Sequence, residues 1–438
     1  MPLSVHTITA AQVRALADGT NAAAVLDILG ASQRSKCLIM LTLVVRTAIE
    51  ARHPEAPAAV AGWQLLEHVQ RTAPGAVEDL LRHPAVGAWA TDCVLASESR
   101  SRSGMSPGRL ALVAAAAAIR GDVPCVIELP LPTPADAAVH LPLLGSVTVP
   151  GLLAGDSVTL RHSSSGTELA GPRARFALPR RLDADAPGWS ALPKVTAGAG
   201  RTRLRLVIDD ADPYRLAGYD APLERVTTGT REEWQRRLSG GWHILARDHQ
   251  RTAAEVVSLI SAVAPLSDAG GAMSSVTTRH AFGSIGLSLP ADDVAMALTL
   301  SHEVQHSKLA ALMDLLPMVT EPAPDLFYAP WRPDPRPLAG LLQGIYAHLG
   351  VARFWRRHRE VTPDPAEILR AHVEFARWRI ACAQVVSVIS ARPELTRCGH
   401  VFVGGMAQVL RGWRQDHVPP EALAQADHAV RVHREQWA

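Results

Sequence analysis

The chain has 438 residues, 47% apolar and 20% charged, a globular balance that excludes a disordered protein and gives length for two or three packed units. Its 44 basic residues against 42 acidic ones leave a net charge of +2, without the basic excess of a protein built to hold nucleic acid. Only Lys36, Lys194 and Lys308 are lysines; the arginine, alanine and proline usage is that of a GC-rich genome and carries no functional message.

The N-terminal segment lacks the basic-then-apolar pattern of a signal peptide. The longest apolar run near it, Cys37 to Val45, is far short of the roughly 20 residues that span a bilayer, so it reads as a buried helix segment. The five cysteines, Cys37, Cys93, Cys125, Cys382 and Cys398, are scattered without CxxC spacing. They give no support to a cysteine-bound metal or a disulfide framework, and a cytoplasmic protein with no membrane partner is expected.

Residues 1–121 read as helical. Thr9-Ala10-Ala11-Gln12 is a capping box, and apolar stripes run from Val60 to Val69 and Leu110 to Ile119, with Trp63 and Trp89 as core candidates. Residues 122–229 form a β-rich middle region of short runs such as Val126 to Leu129, Ser146 to Val149, Ser157 to Leu160 and Leu204 to Ile208, separated by Pro, Gly and Asp breaks. Asp183 to Gly200 reads as an extended loop. Residues 230–438 return to helix. Arg247 to Val263 is one candidate helix, and Val276 to Ser288 reads as one alternating strand. Pro290, Asp292 and Asp293 then open a helix that runs to about Leu316. The expected fold is α+β and mostly helical.

That last helix carries Ser301-His302-Glu303-Val304-Gln305-His306. Histidines at i and i+4 share a helical face, so His302 and His306 can converge on one ion, with Glu303 beside it as base or water-holding group. The pattern arises by chance in roughly 3 of 100 chains this long, so its context matters. Apolar Leu298, Leu300, Leu309 and Leu312 surround it, and an alternating strand precedes it. A working site needs a third ligand. His348, ending the apolar run from Gly340, is the first candidate, ahead of Glu374, His372 and Asp334. Three histidines suit Fe(II) or Zn(II) with open positions; two histidines and a carboxylate would make the facial triad of iron oxygenases. Arg332 and Arg336 sit in the proline-rich loop Trp331 to Pro337, and Arg377 and Arg379 follow on a helix of about 366–390. Such guanidinium groups can take an anionic ligand at two points; pairing with Asp334 is the plainer alternative.

Together the runs Ser275–Pro290, Leu298–Leu309, Tyr328–Pro337 and Gln343–His348 resemble the HExxH-motif peptide-modification family of ribosomal-peptide natural product pathways. The likeness is strong over about 200–350 and weaker before it, where Arg82 to Trp89 and Asp212 to Arg215 also fit. It implies an enzyme dependent on Fe(II), 2-oxoglutarate and O₂ that hydroxylates the β-carbon of a precursor-peptide residue. It further implies a zincin-like helix in the C-terminal half rather than a double-stranded β-helix. The metal would lie on His302, His306 and His348, with Arg332, Arg336 or Arg379 on the co-substrate. No radical SAM cysteine motif is present, so a cross-linking enzyme of that kind would be a separate protein. Two other readings stand beside it: a Zn²⁺ peptidase with Glu303 as general base, and a module that binds a precursor peptide as an added strand.

Overall fold

A computed structural model of the chain describes residues 5–20, 23–98, 106–130, 138–149, 156–217, 219, 226–267, 274–320 and 325–437. The described chain opens with helices α1 (Ala10–Asp18), α2 (Ala23–Glu50), α3 (Ala56–Thr72), α4 (Pro74–Leu81), α5 (Pro84–Glu98) and α6 (Arg109–Arg120). Strands follow: β1 (Cys125–Pro130), β2 (Ala138–Leu141), β3 (Gly145–Thr148), β4 (Ser157–Ser163), β5 (Gly166–Ala170), β6 (Arg175–Ala177), β7 (Trp189–Ala191), β8 (Lys194–Ala197) and β9 (Leu204–Ile208). Next come α7 (Thr228–Asp248), α8 (Gln250–Leu259), β10 (Ala262–Pro265), β11 (Ser275–Val276), β12 (Ser284–Leu287) and α9 (Asp293–Leu315). The chain closes with β13 (Leu326–Phe327), β14 (Arg336–Pro337), α10 (Leu338–Val361), α11 (Pro365–Ile389), α12 (Arg397–Trp413) and α13 (Pro420–Trp437). The protein is thus a mixed α+β fold, mostly helical, with several small sheets and no barrel among the described residues.

Local chemistry explains the best-defined ends. Thr9 and Gln12 exchange side-chain and backbone hydrogen bonds in the expected capping box. Asp292 caps α9 by accepting from the Ala295 amide at 2.7 Å. Three segments depart from expectation. The stretch Asp183–Gly200 contains β7 and β8: β7 pairs with β3, about forty residues earlier, and β8 with the nearby β9, and both strands are too short to leave a clear local pattern. Arg247–Val263 is not one helix: α7 ends at Asp248, α8 at Leu259, and buried β10 follows. Val276–Ser288 is not one strand but part of an antiparallel pair, β11 with β12, with Gly283 at φ +90° allowing the turn into β12.

The middle region divides between sheets. β1, β4, β5 and β6 form one antiparallel sheet, and β2, β3 and β7 another. β8 and β9 leave them for a mixed sheet in the order β11-β12-β10-β9-β8, where β12, β10 and β9 run parallel. Every residue of β10 and β12 is buried, as parallel strands covered on both faces require. The same division appears in the cores. One, built on Leu41, Trp89, Leu110 and Leu160, holds the early helices and the antiparallel sheets. The other, built on Trp242, Leu300, Ile345 and Phe402, surrounds the mixed sheet and α9. Helix α2 enters both, through Leu26 and Leu29 at one end and Cys37 and Val44 at the other. Among described helices α2 is long and apolar enough to cross a membrane by length and composition, yet the face with Leu29, Leu41 and Val44 is fully buried.

Behind α9 lies a buried polar knot. Lys308, 0% exposed, donates to Glu255 Oε1 at 2.7 Å and to Gln305 Oε1 at 2.9 Å, while Gln305 donates to Glu255 Oε2 at 3.2 Å. Burial opposes both charges, yet each partner stabilises the other: the Lys308 ammonium is held above its ordinary pKa and the Glu255 carboxyl below its own. Losing one partner strands the other in the core. Lys308→Ala is expected to cost about 3–5 kcal/mol in urea unfolding, and Lys308→Met with Glu255→Leu to recover most of it. Equal losses in the single and double variants would contradict this.

His249, between α7 and α8, is buried and stacks on Phe354 at 4.4 Å. Burial, with His358 beside it, pulls its pKa down to about 4. The unfolded side chain takes a proton below about 6.5 and the folded one refuses it until about 4. Its contribution is therefore complete above pH 6.5 and lost as pH falls from 6.5 to 4. His249→Gln should flatten the pH dependence of the urea midpoint across that window; an unaltered slope would refute the assignment.

Candidate metal centre

Helix α9 brings the motif into the interior. Ser301, Glu303, Val304 and Gln305 are buried, while His302 keeps 21% side-chain exposure, so the two imidazoles face the accessible side. His302 Nε2 and His306 Nε2 lie 3.2 Å apart. Two nitrogens bound to one ion at about 2.0–2.1 Å, at angles of about 90–110°, stand about 3.0–3.4 Å apart, so the pair is spaced as adjacent ligands.

The neighbours fix the orientation of two of these rings. His306 Nδ1 meets Gln343 Oε1 at 3.2 Å, and His348 Nδ1 meets the Gly344 carbonyl at 2.9 Å. A carbonyl oxygen only accepts, so each Nδ1 carries the hydrogen and each Nε2 keeps its lone pair. Burial and then His306 bring the His302 pKa down to about 4. Burial and then His302 hold His348 well below its ordinary value. Both imidazoles are therefore neutral near pH 7, the form that binds a metal.

The His348 ring lies edge-on to His302, centroids 5.0 Å apart, between Trp331 at 4.6 Å and Trp378 at 4.5 Å. Gly344 makes room for this: a Cβ there would stand 2.5 Å from the Trp331 indole. Gly350 likewise lets α10 approach α9, since a Cβ there would meet Gln305 Cγ at 2.6 Å. The third imidazole is close but not closed onto the pair. Among described residues, three ligand atoms mutually within 4.8 Å occur at His83, Asp209 and Asp212, and not at the three imidazoles. Ligation by all three histidines requires His348 to move toward the pair. Two of its three rivals are paired with arginines. Glu374 pairs with Arg377 at 3.7 Å, Asp334 with Arg332 and Arg336, and His372 has Arg359 and His417 as its charged neighbours.

Glu303 is 1% exposed and fully hydrogen-bonded. Its Oε1 accepts from Ser275 Oγ at 2.7 Å and its Oε2 from Thr277 Oγ1 at 2.5 Å, while Oε1 lies 3.8 Å from His302 Nε2. The hydroxyls come from β11 and the residue after it, so the strand alternation that marks this segment also places two donors on one carboxylate.

The arginines separate. Arg332 Nε donates to Asp334 Oδ1 at 2.9 Å and Arg336 reaches Asp334 Oδ2 at 3.5 Å, the plain pairing. Arg379 donates to the Trp413 carbonyl at 2.8 Å and lies over Phe375. Arg377 lies over Trp378 and is the guanidinium whose charge reaches His348. Trp378, Gln343, Ser275 and Thr277 were not legible as site residues, because their roles arise from contacts between separate elements. A cavity of about 780 Å³ is lined by residues that include Lys36, Arg82, Lys194, Arg203, Arg205 and His280, but by none of His302, His306 and His348. Ligand convergence rather than cavity size therefore locates the centre.

No family model matches the chain, and no curated protein is similar to it.

His302→Ala and His306→Ala should each abolish metal binding at this pair in chelator competition. Gln343→Leu should weaken it about 10–100-fold by freeing the His306 ring. Wild-type affinity in Gln343→Leu would rule out the orienting role.

Proposed function

We propose that the chain is an Fe(II)/2-oxoglutarate-dependent hydroxylase acting on the β-carbon of a residue in a ribosomally made precursor peptide. In this reading a zincin-like helix, rather than a double-stranded β-helix, carries the metal. The observation that favours it over a zinc peptidase is the state of Glu303. A peptidase needs that carboxylate to take a proton from water, but here both oxygens already accept hydroxyl hydrogens in a buried setting.

His302, His306 and His348 would hold the ion, fitted for it by the 3.2 Å separation of the first pair and the carbonyl-bound Nδ1 of the other two rings. Iron with 2-oxoglutarate and O₂ supplies the oxidation: one oxygen atom enters the peptide C–H bond and the other enters succinate, with loss of CO₂. Glu303 braces α9 against the Ser275–Thr277 segment and so sets the His302 ring beside it. Trp331 and Trp378 wall the His348 side with apolar surface and keep water from the reacting carbon. Arg377 is our assignment for the co-substrate carboxylate, since it lies over Trp378, which packs on His348, and its Glu374 contact is a loose 3.7 Å. Arg332, Arg336 and Arg379 would each first have to release the partner described above. The enzyme would work in the cytoplasm on a free peptide, beside a separate radical SAM enzyme where the pathway cross-links, with neither nucleic acid nor membrane as partner.

The test is turnover. Protein reconstituted anaerobically with Fe(II) and given 2-oxoglutarate, O₂ and the precursor peptide encoded beside it should yield succinate and a peptide heavier by one oxygen. Glu303→Gln should retain activity, and Arg377→Ala should raise KM for 2-oxoglutarate more than Arg379→Ala does. Peptide cleavage by a zinc-loaded sample, abolished in Glu303→Gln, would establish the peptidase instead.

A further inference from the structure

We propose that His83, His140, Asp209 and Asp212 form a second metal site, for a divalent first-row cation of the zinc type, which clamps the two cores together. It is independent of the hydroxylase reading.

The four side chains meet from separate elements: His83 just before α5, His140 on β2, and Asp209 and Asp212 just after β9. They are buried, with side-chain exposures of 1%, 10%, 1% and 0%. One ligand atom from each of His83, Asp209 and Asp212 lies within 4.8 Å of the other two. His83 Nε2 stands 3.6 Å from Asp209 Oδ2, and His140 Nε2 stands 3.2 Å from Asp212 Oδ2. These separations are near the ligand-to-ligand edge of a first-row metal site, about 3.0–3.4 Å.

The two imidazole nitrogens that face the carboxylates lack hydrogen-bond partners, while Asp212 Oδ2 between them is held by Arg109. Neither His83 Nε2 nor His140 Nε2 makes a hydrogen bond, although both are out of contact with solvent. An unmatched buried polar atom is costly, and two facing one pair of carboxylates call for an explanation. The remaining atoms are fixed in place. Asp209 Oδ1 accepts from the Asp212 amide at 3.0 Å, Asp212 Oδ1 from the Tyr214 amide at 2.9 Å, and His140 Nδ1 meets Ser146 Oγ at 2.9 Å. Metal ligands are commonly oriented by such outer contacts.

Charge points the same way. The Arg109 guanidinium donates to Asp212 Oδ2 at 2.5 Å and offsets that carboxylate. Among the described residues Asp209 has no arginine or lysine partner, and the His83 imidazole faces it at 3.6 Å. Two imidazoles and two carboxylates make an N₂O₂ donor set suited to Zn²⁺, Mn²⁺ or Fe²⁺. His83 also borders the 780 Å³ cavity, which offers the ion a way in. Because Trp89 and Val139 beside the histidines belong to one core and Ile208 beside the aspartates to the other, an ion here would tie the mixed sheet to the early helices.

The test uses the full chain with Zn²⁺ alone. After chelation and gel filtration, wild-type protein should take up about two zinc ions per chain, and a His302→Ala/His306→Ala variant about one, by elemental analysis. In that variant Zn²⁺ should raise Tm by several degrees, and adding His83→Gln and Asp209→Asn should remove the shift. A His302→Ala/His306→Ala protein that binds no zinc and melts identically with and without it overturns the proposal. That result is decisive even if the quadruple variant fails to fold. Uptake of one zinc by both wild type and the double variant would instead uphold this site and count against the pair on α9.

Discussion

The structure turns on one constraint: α9 lies in the core yet carries a run of polar side chains, so each must find its partner from another element or an earlier turn. Ser275 and Thr277 take Glu303, Glu255 takes Gln305 and Lys308, Gln343 takes His306, and the Ser301 hydroxyl returns to the Ala297 carbonyl. What remains is the face where the two imidazole Nε2 atoms meet. A buried helix satisfied in this way is rigid, and rigidity holds the two imidazole nitrogens 3.2 Å apart, the spacing of adjacent metal ligands.

Much of this helix was legible in the sequence. Pro290, Asp292 and Asp293 mark its start, and the structure begins it at Asp293 with Asp292 as its cap. The i, i+4 spacing of His302 and His306 is enough to bring them together, because helix geometry is local. The third ligand was a different problem. His348 leads Glu374, His372 and Asp334 on paper, but only the packing of α10 against α9 sets its ring beside His302. The arginines show the same limit. Arg332 and Arg336 read equally well as ligand-binding or Asp334-paired, and the structure pairs them, while Arg377 comes to lie over Trp378, beside His348, only through the fold.

The β-rich middle of the chain was the least legible part. Its strands are short, and β8 and β9 pair with a sheet completed more than fifty residues later by β10 and β12. No local pattern reports such a pairing. The carboxylates that follow β9 show the consequence for function. In the sequence Asp212 stands out only within the run Asp212 to Arg215 and Asp209 not at all, yet the fold carries both to His83 and His140, from elements well before them in the chain.

The central claim is that three imidazoles, His302, His306 and His348, hold one ion. The most direct measurement is an anaerobic crystal structure of the Fe(II)-loaded protein. It should show an ion about 2.0–2.2 Å from Nε2 of all three, with His348 drawn in between Trp331 and Trp378 and Glu303 still bound to Ser275 and Thr277. An ion held by His302 and His306 with a carboxylate as third ligand, or with Glu303 turned from its hydroxyl partners toward the metal, would contradict it.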